Sequence, residues 1–366
     1  MRVRSRLAAS AVALVGSVVL AVSSAPAAQA VAAFSAKVTL SSSCLRAKSA
    51  TSSTGVTRGA FDCPAAGTRR IYVFSGNGRT WSRTSTGVNG RVAAFADDGT
   101  FSYVMYTPVS PDGRVFLMKR NHTTGARTTT ALTSTRQDAS STSGALVVSA
   151  GRYWAAWDII NGAGARTYTR QNLVSSMPAT FPAVRGANPS LARVGSGVTM
   201  LVQGSLLSSG NPIVRYTART GGTWGTTTMR TLGAFEPQIV RANGVTYMAW
   251  TELSSFPEQK VVYQDNASGS IVRRTLVGNA HQGTDVRLFL TGGKPTVVWT
   301  GHTVGQPQSA TYLRVAQRSG GSWTSLVVGD GASNAWLADA GGWGGRTIVV
   351  MGKANGAEGF STRRQP

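Results

Sequence analysis

Apolar positions come in short bursts along this chain. After about residue 30, β-branched and aromatic residues cluster over a few positions and then give way to Gly, Ser, Thr or Asn. Short β-rich runs bounded by turn formers are the signature of strands, and runs with a helical period are scarce. The chain is predicted to be all-β.

The bursts repeat. One landmark is a glycine followed by an apolar strand that often ends in Trp, as in Gly151-Arg-Tyr-Trp-Ala-Ala-Trp157, Gly244-Val-Thr-Tyr-Met-Ala-Trp250 and Gly293-Lys-Pro-Thr-Val-Val-Trp299. Weaker copies start at Gly99, Gly197 and Gly342, and Gly55-Val56-Thr57 repeats the opening of Gly197-Val198-Thr199. Successive glycines lie 44 to 52 residues apart. A second landmark, Gly-x-Thr/Ser-Trp, follows 26 to 30 residues later and ends at Trp81, Trp224 and Trp323.

Each unit therefore reads as strand A, Gly turn, strand B, longer loop, strand C, Gly-rich turn, strand D. Four antiparallel strands recurring every 40 to 50 residues are the unit of a β-propeller, in which stacking neighbours bury the faces that a lone unit exposes. A pair of β-sandwiches also has short alternating strands, but it does not require two evenly spaced landmarks. The spacing predicts seven blades, or six if the weak unit around Cys44 to Asp62 is not one. The last unit lacks strand D, and the spare run Lys37-Val-Thr-Leu40 is expected to supply it and close the ring.

The first 30 residues read as an address. Arg2, Arg4 and Arg6 precede the apolar stretch Leu7 to Val22, and Ala28-Gln29-Ala30 has the form of a signal-peptidase site. The expected division is a signal peptide over 1–30 and a single propeller domain over 31–366, secreted and cleaved after Ala30. No later apolar run has the roughly 20 residues of a membrane-spanning helix. Cys44 and Cys63 are the chain's two cysteines, and an oxidising compartment predicts a disulfide between them.

Charge adds a partner class. The chain has 37 basic and 14 acidic residues, a formal net charge of +23, and three of the basic residues lie in the leader. Such a field attracts polyanions, whether wall polymers, acidic polysaccharide or released DNA. The alternative is solubility alone. The basic residues are scattered, so specific nucleic-acid recognition is not expected. No phosphate-binding glycine loop precedes a helix, and three His do not make a zinc centre. No cofactor and no metal are expected, and a monomer is.

The Gly-x-Thr/Ser-Trp turns resemble the Asp box of sialidase-like propellers, Ser-x-Asp-x-Gly-x-Thr-Trp. Here the register gives Thr217-Ala-Arg-Thr-Gly-Gly-Thr-Trp224 and Ala316-Gln-Arg-Ser-Gly-Gly-Ser-Trp323. Arg219 and Arg318 stand where that family has Asp, and in the copy at Phe74 to Trp81 the position is Gly76. The resemblance implies the propeller shape. It does not carry sialidase chemistry, because the Phe-Arg-Ile-Pro motif is missing and Asn211-Pro-Ile-Val-Arg215 does not match it.

Antiparallel geometry then says where a site belongs. The start of A and the end of B share one face of the ring, and propeller sites usually lie there, around the channel. Counting eight residues back from each A–B glycine, and forward past each strand B, places Glu236, Glu252 and Asp285 on this rim as candidate catalytic acids. Asp158, His302, Asn334, Arg91 and Lys353 join them as candidate binding residues, and Trp336 is a candidate sugar-stacking aromatic. Paired carboxylates at suitable spacing can work as acid and base on a glycosidic bond. They can equally satisfy backbone donors at strand starts or pair with Arg. The same geometry puts Cys44 and Cys63 at one end of the first unit. Three functions are open: a binder of extracellular carbohydrate or anionic wall polymer, a glycan-cleaving hydrolase or lyase, and a protein-interaction scaffold.

Overall fold

A computed structural model describes residues 38–41, 44–51, 56–77, 80–109, 113–133, 143–149, 151–161, 164–171, 181–185, 187–195, 197–205, 212–220, 223–228, 233–255, 258–268, 272–276, 281–303, 312–328, 335–343, 346–353 and 360–364. The expected signal peptide, Lys37 and Asn334 lie outside them.

The chain opens with β1 (Val38–Ser41) and then builds sheets in sequence order. The first contains β2 (Leu45–Thr51), β3 (Thr57–Ala65), β4 (Thr68–Gly76) and β5 (Trp81–Asn89). The second contains β6 (Arg91–Asp97), β7 (Phe101–Thr107), β8 (Phe116–Asn121) and β9 (Arg127–Ala131). The third contains β10 (Gly144–Ser149), β11 (Arg152–Asn161), β12 (Gly164–Gln171) and β13 (Phe181–Arg185). The fourth contains β14 (Ala187–Val194), β15 (Gly197–Ser205), β16 (Pro212–Thr220) and β17 (Thr223–Thr228). The fifth contains β18 (Ala234–Ala242), β19 (Val245–Ser255), β20 (Glu258–Asp265) and β21 (Val272–Thr275). The sixth contains β22 (His281–Thr291), β23 (Lys294–Thr303), β24 (Tyr312–Ser319) and β25 (Ser322–Val328). The seventh contains β26 (Ala335–Trp343), β27 (Arg346–Lys353) and β28 (Phe360–Arg364), with β1 antiparallel to β28 as its outer strand.

Every pairing is antiparallel, and the first strands of successive sheets touch in a cycle that runs from β2 through β6, β10, β14, β18 and β22 to β26 and back to β2. This is a β-propeller.

The core lies between sheets, because each sheet has two apolar faces and covers one with each neighbour. Ala93, Tyr103 and Met105 of the second sheet pack with Tyr153 and Trp157 of the third. Leu201 of the fourth packs with Met248 and Trp250 of the fifth, and Ala249 and Tyr263 of the fifth pack with Val286 and Trp299 of the sixth. Trp157, Trp250 and Trp299, the repeat landmarks, are all fully enclosed. Their size suits the wedge between radiating sheets.

Turn glycines behave unequally. Gly99, Gly151, Gly244 and Gly293 sit at φ between 73° and 90°, where a Cβ would be strained. Gly342 does not turn the chain. It lies inside β26 opposite Thr347, and β26 continues to Trp343, which pairs with Arg346. A Cβ at Gly342 would come within 2.2 Å of Thr291 Oγ1, so this glycine permits close packing of the sixth and seventh sheets. In the fourth sheet the positive φ falls on Gly195, not Gly197.

Cys44 and Cys63 are bonded, with Cα atoms 4.1 Å apart. The bridge ties the start of β2 to β3, where the sequence placed it.

Candidate functional site

The first strands of six sheets are not regular. The β14–β15 ladder slips between Ala187 and Ser190, β18–β19 between Phe235 and Gln238, and β22–β23 between Thr284 and Arg287. Similar bulges interrupt β2, β6 and β26, while β10 pairs without one. Bulges re-aim side chains and free backbone groups from the ladder. Here three of them hold Asn188, Glu236 and Asp285 at φ of 48°, 51° and 54°. A left-handed backbone is uncommon for a residue other than Gly, and such strain tends to collect at functional sites.

These bulges surround a cavity of about 480 Å³ on the ring axis. The first residue to re-pair after each of the six bulges lines it: Lys48, Ala94, Ser190, Gln238, Arg287 and Asp339. Asn188, Glu236 and Asp285 line it as well. The wall is lopsided. Glu236, Asp285, Arg287, Asp339 and Lys48 come from the first strands of four sheets that follow one another around the ring, β18, β22, β26 and β2. The opposite arc from β6 and β10 offers mainly Ala94, Ala96, Ala145 and Leu146. Asp97, also on that arc, is engaged by Arg58 at 3.3 Å and His122 at 3.0 Å.

The charged arc is tied together. Asp339 Oδ1 accepts from Arg287 Nε at 3.1 Å, while its Oδ2 accepts from the Ser49 amide and from Ser49 Oγ at 3.2 Å. Arg287 also donates to the Val286 carbonyl at 2.9 Å. Glu236 Oε2 accepts the Val286 amide at 3.3 Å, an amide that the bulge removes from the ladder. Burial, then the neighbouring Asp285, push the Glu236 carboxyl above the usual carboxylate range; Arg287 and the Asp285 and Val286 amides oppose this. Burial and then Arg287 bring the Lys48 ammonium down to about 8, against the pull of Asp339, Asp285 and Glu236.

Further acceptors hold the bulges from behind. Asp158 Oδ2 accepts from Ser143 Oγ at 2.8 Å and from the Asn188 amide at 3.1 Å. Gln203 Oε1 accepts from Asn188 Nδ2 at 2.8 Å and from the Glu236 amide at 3.4 Å. Asp62 does the same for the Val92 amide at 3.2 Å. Each acceptor sits on one sheet and caps the bulge of the next.

Of the residues named from the sequence, Glu236 and Asp285 meet at the cavity. Glu252 is not in its wall; it lies on β19 opposite Lys260 and pairs with Arg273. Asp158 is buried behind the wall as a cap. Arg91 is exposed at the start of β6, opposite Thr107, and is not part of the lining. His302, Lys353 and Trp336 lie in β23, β27 and β26, but their side chains fall outside the description. Sequence counting passed over Lys48, Gln238, Arg287 and Asp339. Among the described residues, no group of three or more His, Cys, Asp or Glu could hold a metal ion, and no helix is long and apolar enough to cross a membrane.

No family model and no curated protein match the chain. Solved structures do. The β-propeller domain of the trilobed protease from Pyrococcus furiosus superposes with a TM-score of 0.55 at 8% identity, over 89% of this chain and 94% of that one. The acylaminoacyl peptidase of Pyrococcus horikoshii gives 0.54 at 9% identity, over 90% of this chain and 53% of that one. Trypanosoma rangeli sialidase gives 0.46 at 11% identity, over 88% and 54%, a likeness too distant to carry an argument. The chain spans about half the length of the peptidase and sialidase chains it matches. Identities this low establish a shared fold and nothing finer. Arg318 reaches back to Asp265 of the preceding sheet, and Trp323 packs edge-on against Tyr263 with ring centroids 4.7 Å apart. That arginine acts as a tie between sheets.

Proposed function

We propose that the protein is an exported, seven-bladed propeller that binds a saccharide in its central cavity, on the arc from Asn188 to Lys48. The carrying observation is that bulges in three consecutive sheets turn Asn188, Glu236 and Asp285 toward one cavity of about 480 Å³. Carboxylate, amide and guanidinium groups in one cleft match the hydroxyls of a sugar, which need donors and acceptors at close range. The blade count is supported by the cycle of four-stranded sheets and by β1 completing the last of them. Export is supported by the leader pattern and by the disulfide.

The cavity argues for a neutral ligand over an anionic polymer. Glu236, Asp285 and Asp339 outnumber Lys48 and Arg287 in its wall. The cleavage reading keeps one specific support, the Glu236–Asp285 pair with the Glu236 proton held above its usual range.

Calorimetry with neutral oligosaccharides at two salt concentrations tests the binding reading. The expected result is affinity that survives added salt and falls at least tenfold in Glu236→Gln and Asp285→Asn. Affinity untouched by both substitutions, or abolished by salt, refutes it. Hydrolysis of the same oligosaccharides by the wild type, absent in Glu236→Gln, would move the reading to cleavage.

A further inference from the structure

The cavity wall carries an amine in a chain whose cations are mostly guanidinium. There are 6 lysines and 31 arginines, and one of the few lysines lines the cavity. The two cations differ in kind. Arg stays protonated and does not attack carbonyls, whereas a desolvated Lys loses its proton readily and becomes a nucleophile.

Lys48 has the surroundings for that chemistry. It is the first residue to re-pair after the β2 bulge, opposite Ala60, and so faces the axis. Glu236 and Asp285 lie across the same cavity, close enough to act on its charge. The arc beside it is Ala94 and Ala96, which leaves room for a ligand carbon skeleton. Its charge is opposed by Arg287 from the same wall. Other described lysines are placed differently. Lys119 stacks on Phe101 with its Nζ 3.9 Å from the ring centroid, and Lys294 opens β23 just after the Gly292–Gly293 turn, away from the cavity lining.

We propose that Lys48 is a covalent capture site for small aldehydes, including the open-chain form of a reducing sugar, with Glu236 as its proton donor. The neutral amine adds through its lone pair to the carbonyl carbon. The carbonyl oxygen takes a proton from Glu236, and the nitrogen returns one to the Glu236 carboxylate, giving a carbinolamine. A second protonation by Glu236 expels that hydroxyl as water, and loss of the remaining N–H proton leaves the neutral imine. Amine and aldehyde become imine and water, with no change of oxidation state. Burial favours the step, since an amine titrating near 8 holds about 300 times more free base at neutral pH than an ordinary lysine.

The idea goes beyond non-covalent saccharide binding, and the two can fail separately. The probe is glycolaldehyde with sodium cyanoborohydride, which reduces any imine to a stable secondary amine. The full chain is labelled from pH 6 to 10, and each lysine is read by peptide mass spectrometry. Lys48 should be labelled at least tenfold faster than Lys294 at pH 7, with a midpoint near 8. Glu236→Gln should slow labelling at Lys48 by at least fivefold and leave Lys294 unchanged. Lys48→Arg, with its fold checked by circular dichroism, should lose the fast phase. Equal rates at Lys48 and Lys294, or a Lys48 rate insensitive to Glu236→Gln, overturns the proposal. A sugar alditol has no aldehyde and tests the saccharide reading alone, so alditol binding together with no fast glycolaldehyde labelling at Lys48 would sink this inference and spare that reading.

Discussion

Asp158 offers the sharpest test of how the cavity wall is held. Its side chain is buried, with only 3% of the residue exposed, and Oδ2 accepts from Ser143 Oγ and from the Asn188 amide. Asn188 is the left-handed residue of the β14 bulge, so its amide has no partner in the ladder with β15. Replacing Asp158 with Ala removes a hydrogen bond to a carboxylate acceptor and strands that amide in a part-buried site. Such a bond contributes about 1.5–3 kcal/mol, and the stranded donor costs about 1–3 kcal/mol. Relief from burying the carboxylate offsets part of the sum. The expected net loss is about 2–3 kcal/mol. Asp158→Asn keeps an acceptor oxygen in place and should lose only about 1 kcal/mol.

Two measurements separate these variants. Guanidinium denaturation followed by Trp fluorescence gives the global loss. Hydrogen exchange over residues 187–190 gives the local one, and each 1.4 kcal/mol of lost protection is about a tenfold faster exchange. The Ala variant should therefore exchange roughly 30- to 150-fold faster in this segment, with peptides from β6 and β7 little changed. An Ala variant within about 0.5 kcal/mol of wild type, or an Asn variant as unstable as Ala, refutes the capping argument.

Three more outcomes follow from the same physics. Because the folded Glu236 carboxyl titrates above its ordinary 4.5, stability should fall as pH rises through the window starting there, and the penalty should persist above it; Glu236→Gln, which keeps an oxygen for the Val286 amide, should melt higher than wild type at pH 7 and equal to it well below 4.5, and a variant less stable throughout would sink this reasoning. Arg318→Ala should cost about 3 kcal/mol, because Asp265 is left charged with a side chain only 1% exposed, and the Arg318→Ala, Asp265→Ala double variant should recover part of that loss in chemical denaturation. Reducing the Cys44–Cys63 bridge, which spans 19 residues, should lower stability by about 3 kcal/mol, and denaturation curves coinciding with and without reductant would show that the first sheet holds without it.

The sequence exposed the repeat because its two landmarks answer to hard constraints. A wedge between sheets needs a large apolar residue at the end of strand B, and Trp157, Trp250 and Trp299 fill it. A tight A–B turn needs positive φ, and Gly151, Gly244 and Gly293 supply it. The cavity was harder to read. A count of eight from each turn glycine assumes a straight strand, but six of the first strands carry bulges. The count reached Glu236 and Asp285, which lie in the bulges, and missed the residues that re-pair after them. In the seventh sheet it also started from the wrong glycine. Gly342 is a packing residue, so the count ended at Asn334 and passed over Asp339, which lines the cavity. Lys48 was missed by one position, at Ala47. A bulge leaves little trace in composition, although Asn188-Pro189 and Glu236-Pro237 hint at one, since Pro cannot donate to a ladder.

The acids also change how the chain's charge should be understood. Fourteen are set against 37 basic residues, and the imbalance first suggested a polyanionic partner. Yet, among the described residues, six acids bridge neighbouring sheets. Asp62, Asp158, Glu236 and Asp339 accept backbone amides across the boundary, while Asp97 and Asp265 pair with Arg58 and Arg318. A bulged inner strand exposes amides that an acceptor from the next sheet must satisfy, because a stranded buried donor destabilises the fold. Acids are thus kept where the ring needs acceptors. An excess of arginine on the outer surface is enough for solubility and requires no anionic ligand. A polyanion that binds this protein should therefore do so on the outside, with affinity that falls steeply with salt. A ligand of the cavity should be nearly indifferent to it. Measuring both dependences on one preparation, with heparin and a neutral oligosaccharide as probes, separates the two surfaces; a salt-sensitive oligosaccharide would mean that the cavity is not where it binds.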